Sequence, residues 1–351
     1  MHEDGANRDG RRLREWRIQD SLIVLKSGRF PEDELLKAIC KATIAATMLA
    51  GVTLLPAAQL STDARTAIPH DVQQLVVIDY RAMQNSPAAM ELRDRVMPPE
   101  LKQFDEALRK SGLNDNHDVD QLAFALFRPS ASSEGLVTVG IAQGQFSMQD
   151  ILANFRKQGL RAKLIRTNRV YPLTKTGMVA CFVDPSTMVF GGTDSVQKAL
   201  DARDGVAPSM LTNATMMDAM RTVDSAPLWS ILDEKGTQTM MRQVLGEAGG
   251  LTDFETVRKH LQASWYSMDF QHGVKFDLTI STGDTFAAAT ISSLLSAAVT
   301  YRSLSGSDTE KQAMKATSIS SNYGMMTIHF ATSDSDFSSL LHSPLFQSMV
   351  H

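Results

Sequence analysis

The densest set of potential ligands in this 351-residue chain is NDNHDVDQ, Asn114 to Gln121, where Asp115, Asp118 and Asp120 offer carboxylate oxygens to a hard cation such as calcium. A calcium loop asks for more, namely a sharp-turn glycine and a distal bidentate glutamate, and this stretch has neither. Asn and Asp are also the usual residues of turns, so the plainer reading is a helix-to-strand turn. The eight histidines are scattered, with no i, i+4 pair and no H-E-x-x-H frame to turn two imidazoles toward one metal. His329, in MMTIHFA, alternates with Thr327 and Ala331 and belongs on the less buried side of its strand.

Nucleophile chemistry leaves no local trace. There is no G-x-S-x-G elbow, although a Ser–His–Asp triad is assembled in space and can hide from sequence. GGTDS, Gly191 to Ser195, follows a strand and precedes a helix, where free N–H groups could cradle a phosphate. It lacks the lysine and the full spacing of a P-loop, so Thr193 or Asp194 is expected simply to cap the helix. Cys181 shares a strand face with Val179 and Val183 and is expected to be a passive buried thiol. The 19 methionines cluster at Met216, Met217 and Met220, at Met240 and Met241, and at Met325 and Met326. Thioether clusters suit a core, an adaptable binding surface or, in an oxidising compartment, Cu(I), in that order of expectation. No residue is assigned a catalytic, cofactor or metal role, and no cofactor is implied.

The elements that must position these residues are readable from periodicity. QLVVIDY (Gln74 to Tyr80) has the length and β-branched content of a buried strand. Ser86 and Pro87 open a helix whose stripe, Ala89, Leu92, Val96, Leu101, Phe104 and Leu108, is interrupted at Pro98 and Pro99. QLAFALF and GLVTVGIA, joined by PSASSE, read as a hairpin; a Ser147-capped helix follows, then AKLIRT, RVYPLT, MVACFVD and TMVFGG as strands and a short helix through Leu200. The second half repeats the order: strand APLWSILD, helices over Thr237 to Leu245 and Phe254 to Leu261, hairpin SWYSMDF and VKFDLTIS, and a long helix from Asp284 to Tyr301 that carries no charge from Thr285 on. Strands near Thr317 to Ser320 and at MMTIHFA, and a helix from Asp334 to Leu341, close it. The long helix is expected at the centre of its lobe, with a partner or membrane surface as the alternative.

This order predicts an α+β fold of two related lobes, residues 59–204 and 205–351. Each would be a mainly antiparallel sheet with helices packed on one face, the pair arising by internal duplication. One continuous antiparallel sheet bent around helices is the alternative.

Residues 1–58 read as an address. Lys37 and Lys41 precede the uncharged ATIAATMLAGVTLLPAA (Ala42 to Ala58), and polar QLSTDA follows, which is the tripartite order of a signal peptide. The run is shorter than the roughly 20 residues a spanning helix needs, so cleavage is expected over anchoring. The 36 residues before Lys37 are long for an n-region and point to a start near Leu35 or Leu36, or else to a cytoplasmic tail. After cleavage only Cys181 of the two cysteines remains, so no intramolecular disulfide forms.

Apolar residues make up 43% of the chain and charged residues 21%, which places it among folding proteins. With 35 Lys+Arg against 39 Asp+Glu the net charge of −4 offers no basic excess to nucleic acid. IPHDVQQLVVIDYRAMQNSPAAMELRD, with DVDQLAFALF, GQFSMQDIL and VFGGTDSVQKAL further on, resembles the opening of a loosely defined class of uncharacterised exported bacterial α+β proteins. The resemblance ends after Leu200 and implies export and an α+β body, without an activity. The expected function is an exported, non-enzymatic protein that binds a ligand or protein partner, placed in the periplasm or secreted. In the alternative location the N-terminal segment anchors it to the membrane, its one membrane contact. An exported hydrolase and a structural envelope component are the competing readings.

Overall fold

The structure, a computed structural model, describes residues 59–97, 99–113, 115–128, 135–245 and 258–343. The apolar segment Ala42 to Ala58, the PSASSE loop and the expected helix start at Phe254 lie outside the described residues.

The described chain opens with helix α1 (Thr62–Thr66), capped by Ser61, and enters β1 (Gln74–Asp79). Asp79 ends the strand and accepts from the Ala82 N–H at 2.8 Å, which starts the single turn α2 (Tyr80–Met83). Ser86 caps α3 (Pro87–Val96) by accepting from Ala89 N–H at 3.3 Å, with Pro87 where a missing N–H is no loss. α4 (Pro99–Lys110) begins at the second proline of the expected break. One turn, α5 (Asp115–Asp118), leads into β2 (Val119–Phe127) and its antiparallel partner β3 (Val137–Gly144). Then come α6 (Met148–Lys157), β4 (Lys163–Ile165), β5 (Asn168–Pro172), β6 (Met178–Asp184), β7 (Thr187–Gly192) and α7 (Thr193–Arg203). The cap of α7 is Gly192, without a side-chain bond; Thr193 and Asp194 fall inside the first turn because the helix starts one residue early.

A 3₁₀ turn at Met210–Thr212 and α8 (Ala214–Val223) precede β8 (Leu228–Leu232) and α9 (Glu234–Leu245). β9 (Leu261–Asp269) starts where a helix was expected to end. β10 (Val274–Thr282), α10 (Thr285–Ser305), α11 (Asp308–Lys315), β11 (Thr317–Asn322), β12 (Met325–Thr332) and α12 (Asp334–Leu341) follow.

The fold is α+β, built on one twelve-stranded sheet ordered β11-β12-β10-β9-β8-β1-β2-β3-β7-β6-β5-β4, with antiparallel pairing throughout. The halves do not form separate sheets, since β1 pairs directly with β8. Counted outward from that pair, one half runs β1, β2, β3, β7, β6 and the other β8, β9, β10, β12, β11, the same order of equivalent strands, with β5 and β4 added beyond β6.

Helices cover both faces of the sheet rather than one. Successive side chains of β1 point to opposite sides: Val76 and Ile78 join α3, α4, α6, α9, α10 and α12 in one core, Leu75 and Val77 join α1, α7 and α8 in the other. All four β1 side chains are at most 5% exposed. Enclosing an aliphatic side chain fully is worth roughly 1.5–3 kcal/mol, so a strand buried on both faces anchors the sheet. The second core stops short of the far edge: α8 covers β8 and β9, while Lys275, Asp277 and His329 of β10 and β12 face solvent.

Candidate functional site

α4 carries Leu101, Phe104 and Leu108 toward the sheet, three and four residues apart, and meets the face of β2, β3 and β7. Phe190 of β7 stacks on Phe104 with ring centroids 4.6 Å apart and meets Phe124 edge-on at 6.0 Å. That ring lies flat across β3 because residue 140 is glycine: a Cβ there would sit 2.2 Å from Phe190. The helix does not close down completely on this floor. Leu122 and Phe124 of β2 stay only half-buried, although Ala123, Ala125 and Phe127 on the reverse side are at most 1% exposed.

The gap is an apolar cavity of about 70 Å³. Leu101, Phe104 and Leu108 form its roof; Leu122, Phe124, Ala142, Met188 and Phe190 form its floor; Met97, Leu113 and Val119 close its ends. Polar atoms reach it from Tyr80, Arg93 and Asp105. The Arg93 guanidinium lies 5.3 Å from the Tyr80 ring centroid and 3.9 Å from the Asp105 carboxylate, which also pairs with Arg109 at 3.1 Å. A cation over an aromatic face and beside a carboxylate is held in place at the cavity rim. The arrangement can enclose a small apolar group. It presents no nucleophile beside a base.

The residues singled out for chemistry are dispersed. Asp115 to Asp118 form the one-turn α5, and Asp120 forms an ion pair with Arg81. No group of three or more His, Cys, Asp or Glu that could hold a metal occurs among the described residues. Gly191 and Gly192 lead straight into α7, with Gly192 at the cap in place of the expected Thr193 or Asp194. Cys181 is 1% exposed, and burial, partly opposed by Arg203, pushes its thiol up to about 11, which leaves very little thiolate. Met216, Met220, Met240, Met241 and Met326 are core residues; Met325 is half exposed. α10 lies over the outermost strands β11 and β12 rather than at the centre of its half. No helix among the described residues is long and apolar enough to cross a membrane.

One association was invisible to sequence reading. Ser318, His329 and Asp277 stand directly opposite one another on β11, β12 and β10, so their side chains form a row on one sheet face. His329 Nδ1 lies 2.7 Å from Asp277 Oδ1. The His329 and Asp277 side chains are 47% and 52% exposed, so among the described residues the row is open to water. His329 thus faces solvent, as its alternation implies. A second perturbed group is structural: Asp233 accepts from Gly236 N–H at 2.6 Å at the start of α9, and burial raises its carboxyl to about 6.

Neither a family model nor a curated protein sequence matches the chain. Among solved structures it is similar to crystal form I of TP0453, at 10% identity and a TM-score of 0.47, covering 84% of this chain and 100% of that one. Crystal forms III and IV of TP0453 align over 80% of this chain and 98% and 96% of theirs, at 10% and 9% identity with TM-scores of 0.45 and 0.44.

Proposed function

We propose that the chain is an exported, non-enzymatic protein that takes up an apolar ligand, or an apolar side chain of a protein partner, between α4 and the β2–β3–β7 floor. The observation that carries this reading is the apolar cavity, with two large side chains of its floor left half-buried. Its size sets what fits. An engineered cavity of about 150 Å³ takes up benzene, so about 70 Å³ suits the end of an alkyl chain or one aliphatic side chain. The Arg93–Asp105 rim supplies polar contacts at one side.

Export is supported by the basic, apolar, small-residue order ending at Ala58, which directs the body to the periplasm or outside, or tethers it to the membrane if uncleaved. Internal duplication is supported by the matching strand order of the halves and by the aspartates, Asp79 at the end of β1 and Asp233 just after β8, that cap the next helix.

The test is a thermal melt of the full chain with increasing n-octanol, since a ligand that binds only the folded state raises the melting temperature by mass action. Wild-type protein should gain stability, while Ala142→Leu, or Leu101→Trp on the opposite wall, should abolish the gain with the circular dichroism spectrum unchanged. Stabilisation that persists in both filled variants sinks the cavity reading.

A further inference from the structure

The net charge of −4 conceals a strong local asymmetry: from Ile151 to Val183 the sequence contains no Asp or Glu. Arg156 and Lys157 end α6, and Arg161 lies in the link to β4. Lys163 is on β4, Arg166 at the hairpin turn, Arg169 on β5 and Lys175 in the turn to β6. All are exposed. Part of this charge has a local explanation. Arg156 Nε donates to the Leu152 carbonyl at 3.2 Å, as basic groups at a helix C-terminus do, and Arg166 pairs with Asp201 of α7 at 2.8 Å. A lysine on an edge strand such as β4 also deters another chain from pairing there. Arg161, Arg169 and Lys175 have no such role. Among the described residues none of them forms an ion pair, nor does Lys157 or Lys163.

The β4–β5 hairpin is held firmly where it turns. Arg203 Nη2 donates to Asn168 Oδ1 at 2.8 Å and Asn168 Nδ2 donates to Asp204 Oδ2 at 3.2 Å, which with the Arg166–Asp201 pair fastens the turn to α7. Both aspartates there are already matched by arginines, since Asp204 pairs with Arg203 at 2.6 Å. Leu164 and Arg169 stand opposite each other and so share a face. Arg169 alternates with Tyr171, on which Phe155 of α6 packs with ring centroids 4.7 Å apart. This face is therefore the one that α6 covers, and Arg156 and Lys157 end that helix on the same side. Leu164 is 70% exposed. An uncovered leucine thus sits among cations at the end of the sheet.

We propose that this end of the molecule docks on a lipid bilayer that bears anionic head groups. Leu164 enters the interface, and Arg161, Lys163, Arg169 and Lys175 meet head-group phosphates around it. β5 alone is roughly 17 Å long, with Arg166 before it and Lys175 beyond it, so the charge is spread wider than one small anion spans. An extended anionic surface is required. Nucleic acid fits it less well: Phe155 and Tyr171 are buried and Phe182 is packed against the core, so the stretch offers no ring on which a base could stack. Leu164 would then face phosphate alone. A bilayer takes up an exposed leucine without a shaped pocket, whereas a protein partner has to supply one. Because the rest of the body is acidic, attraction to an anionic surface also turns this end toward it first. Docking here is independent of the cavity and of the N-terminal segment.

The full chain should cosediment with vesicles of one part phosphatidylglycerol to two parts phosphatidylcholine, at least about tenfold more tightly than with phosphatidylcholine alone. Each cation at such a surface is worth roughly fivefold, so Arg161→Gln, Lys163→Gln and Arg169→Gln together should lower the affinity by about a hundredfold. Leu164→Ser should weaken binding severalfold at low and high salt alike, whereas the triple variant should lose the salt dependence. Lys311→Gln with Lys315→Gln, on α11 at the other end of the sheet, should change nothing. Residues 42–58 can themselves hold the chain on a vesicle, so hydrogen exchange reads the site directly. The amides from Arg161 to Arg169 must become more protected on the phosphatidylglycerol vesicles and not on phosphatidylcholine. Unchanged exchange in that segment overturns the proposal, as does a triple variant that keeps the wild-type protection. A higher affinity of this end for poly-L-glutamate or a DNA duplex than for the vesicles overturns it too.

Discussion

Around β1, helices press on the sheet from both sides; from β10 outward the described helices cover only one side. The sequences of the strands already differ in the corresponding way. In QLVVID, Leu75 to Ile78 form a continuous apolar run before the closing Asp, whereas VKFDLTIST alternates, with Val274, Phe276, Leu278 and Ile280 buried and Lys275 and Asp277 exposed. A strand buried on two faces loses its polar positions, and a strand buried on one keeps them. The two halves thus share a strand order but surround it differently. α7, which follows β7, packs on the second face, whereas α12, which follows β12, packs on the first, where Ser338 donates to Glu91 of α3 at 2.7 Å.

The largest effect that would sharpen this contrast comes from equivalent strands. Ile141 on β3 points into the second core at 1% exposure, and Ile141→Ala should cost about 2–5 kcal/mol, the lost transfer energy plus the cavity left behind. Thr279 on β10 points to the same side of the sheet, between its cross-strand neighbours Trp265 and Thr327, and is only half-buried. Thr279→Ala should change stability by no more than about 0.5 kcal/mol. Urea unfolding of both variants checks the pair. Similar losses at the two sites would mean that the face beyond β9 is covered in the native protein.

Strand positions, the Ser86 cap, the proline break and the alternation at His329 were legible because each depends on residues within a few positions of one another. α8 was legible in principle: Asn213 stands before Met216, Ala219, Met220 and Val223 at helical spacing, and accepts from Met216 N–H at 3.2 Å. Reading those methionines as a cluster of sulfur atoms hid the helix, and without α8 and α1 the second face seemed bare. The cavity could not be read, since Leu101, Phe104 and Leu108 form the same stripe whether α4 closes on β2 or stands slightly off it. The Ser318–His329–Asp277 row also depends on distance, because it needs the register of strands separated by up to 52 residues. Registers of that kind follow from hairpin geometry and from which face is buried, not from local residue types.

Asp233 allows a finer comparison, between the two strand-ending caps. Asp79 accepts from Ala82 N–H and Asp233 from Gly236 N–H, equivalent bonds at equivalent places. Burial raises the Asp233 carboxyl from the usual 3.8 to about 6 despite that bond. The folded state therefore holds a proton that the unfolded state has released between these values. The stability this contributes is fully present below 3.8 and is lost as the pH rises through about 6. Asp233→Asn keeps an acceptor for Gly236 and removes the titration. It should raise stability at pH 7 relative to wild type and flatten the dependence between pH 4 and 6, as read from melting temperatures across that window. A variant whose profile keeps the wild-type slope would show that another group is responsible.

The smallest effect belongs to the open face itself. His329 and Asp277 are about half exposed, so water competes for both partners and the gain from their contact is offset by holding two side chains in one geometry. Asp277→Asn should cost less than about 1 kcal/mol, and the loss should shrink further in high salt, because exposed charges are screened within about 10 Å at 0.1 M. Urea unfolding at two ionic strengths measures this directly. A loss well above that bound, or one indifferent to salt, would mean that the pair is shielded in the native protein. The difference between the halves would then no longer be one of covered against uncovered sheet. A partner seated over β10 and β12 would have to be sought, and Ser318, beside His329 in the same row, would be the residue to substitute next.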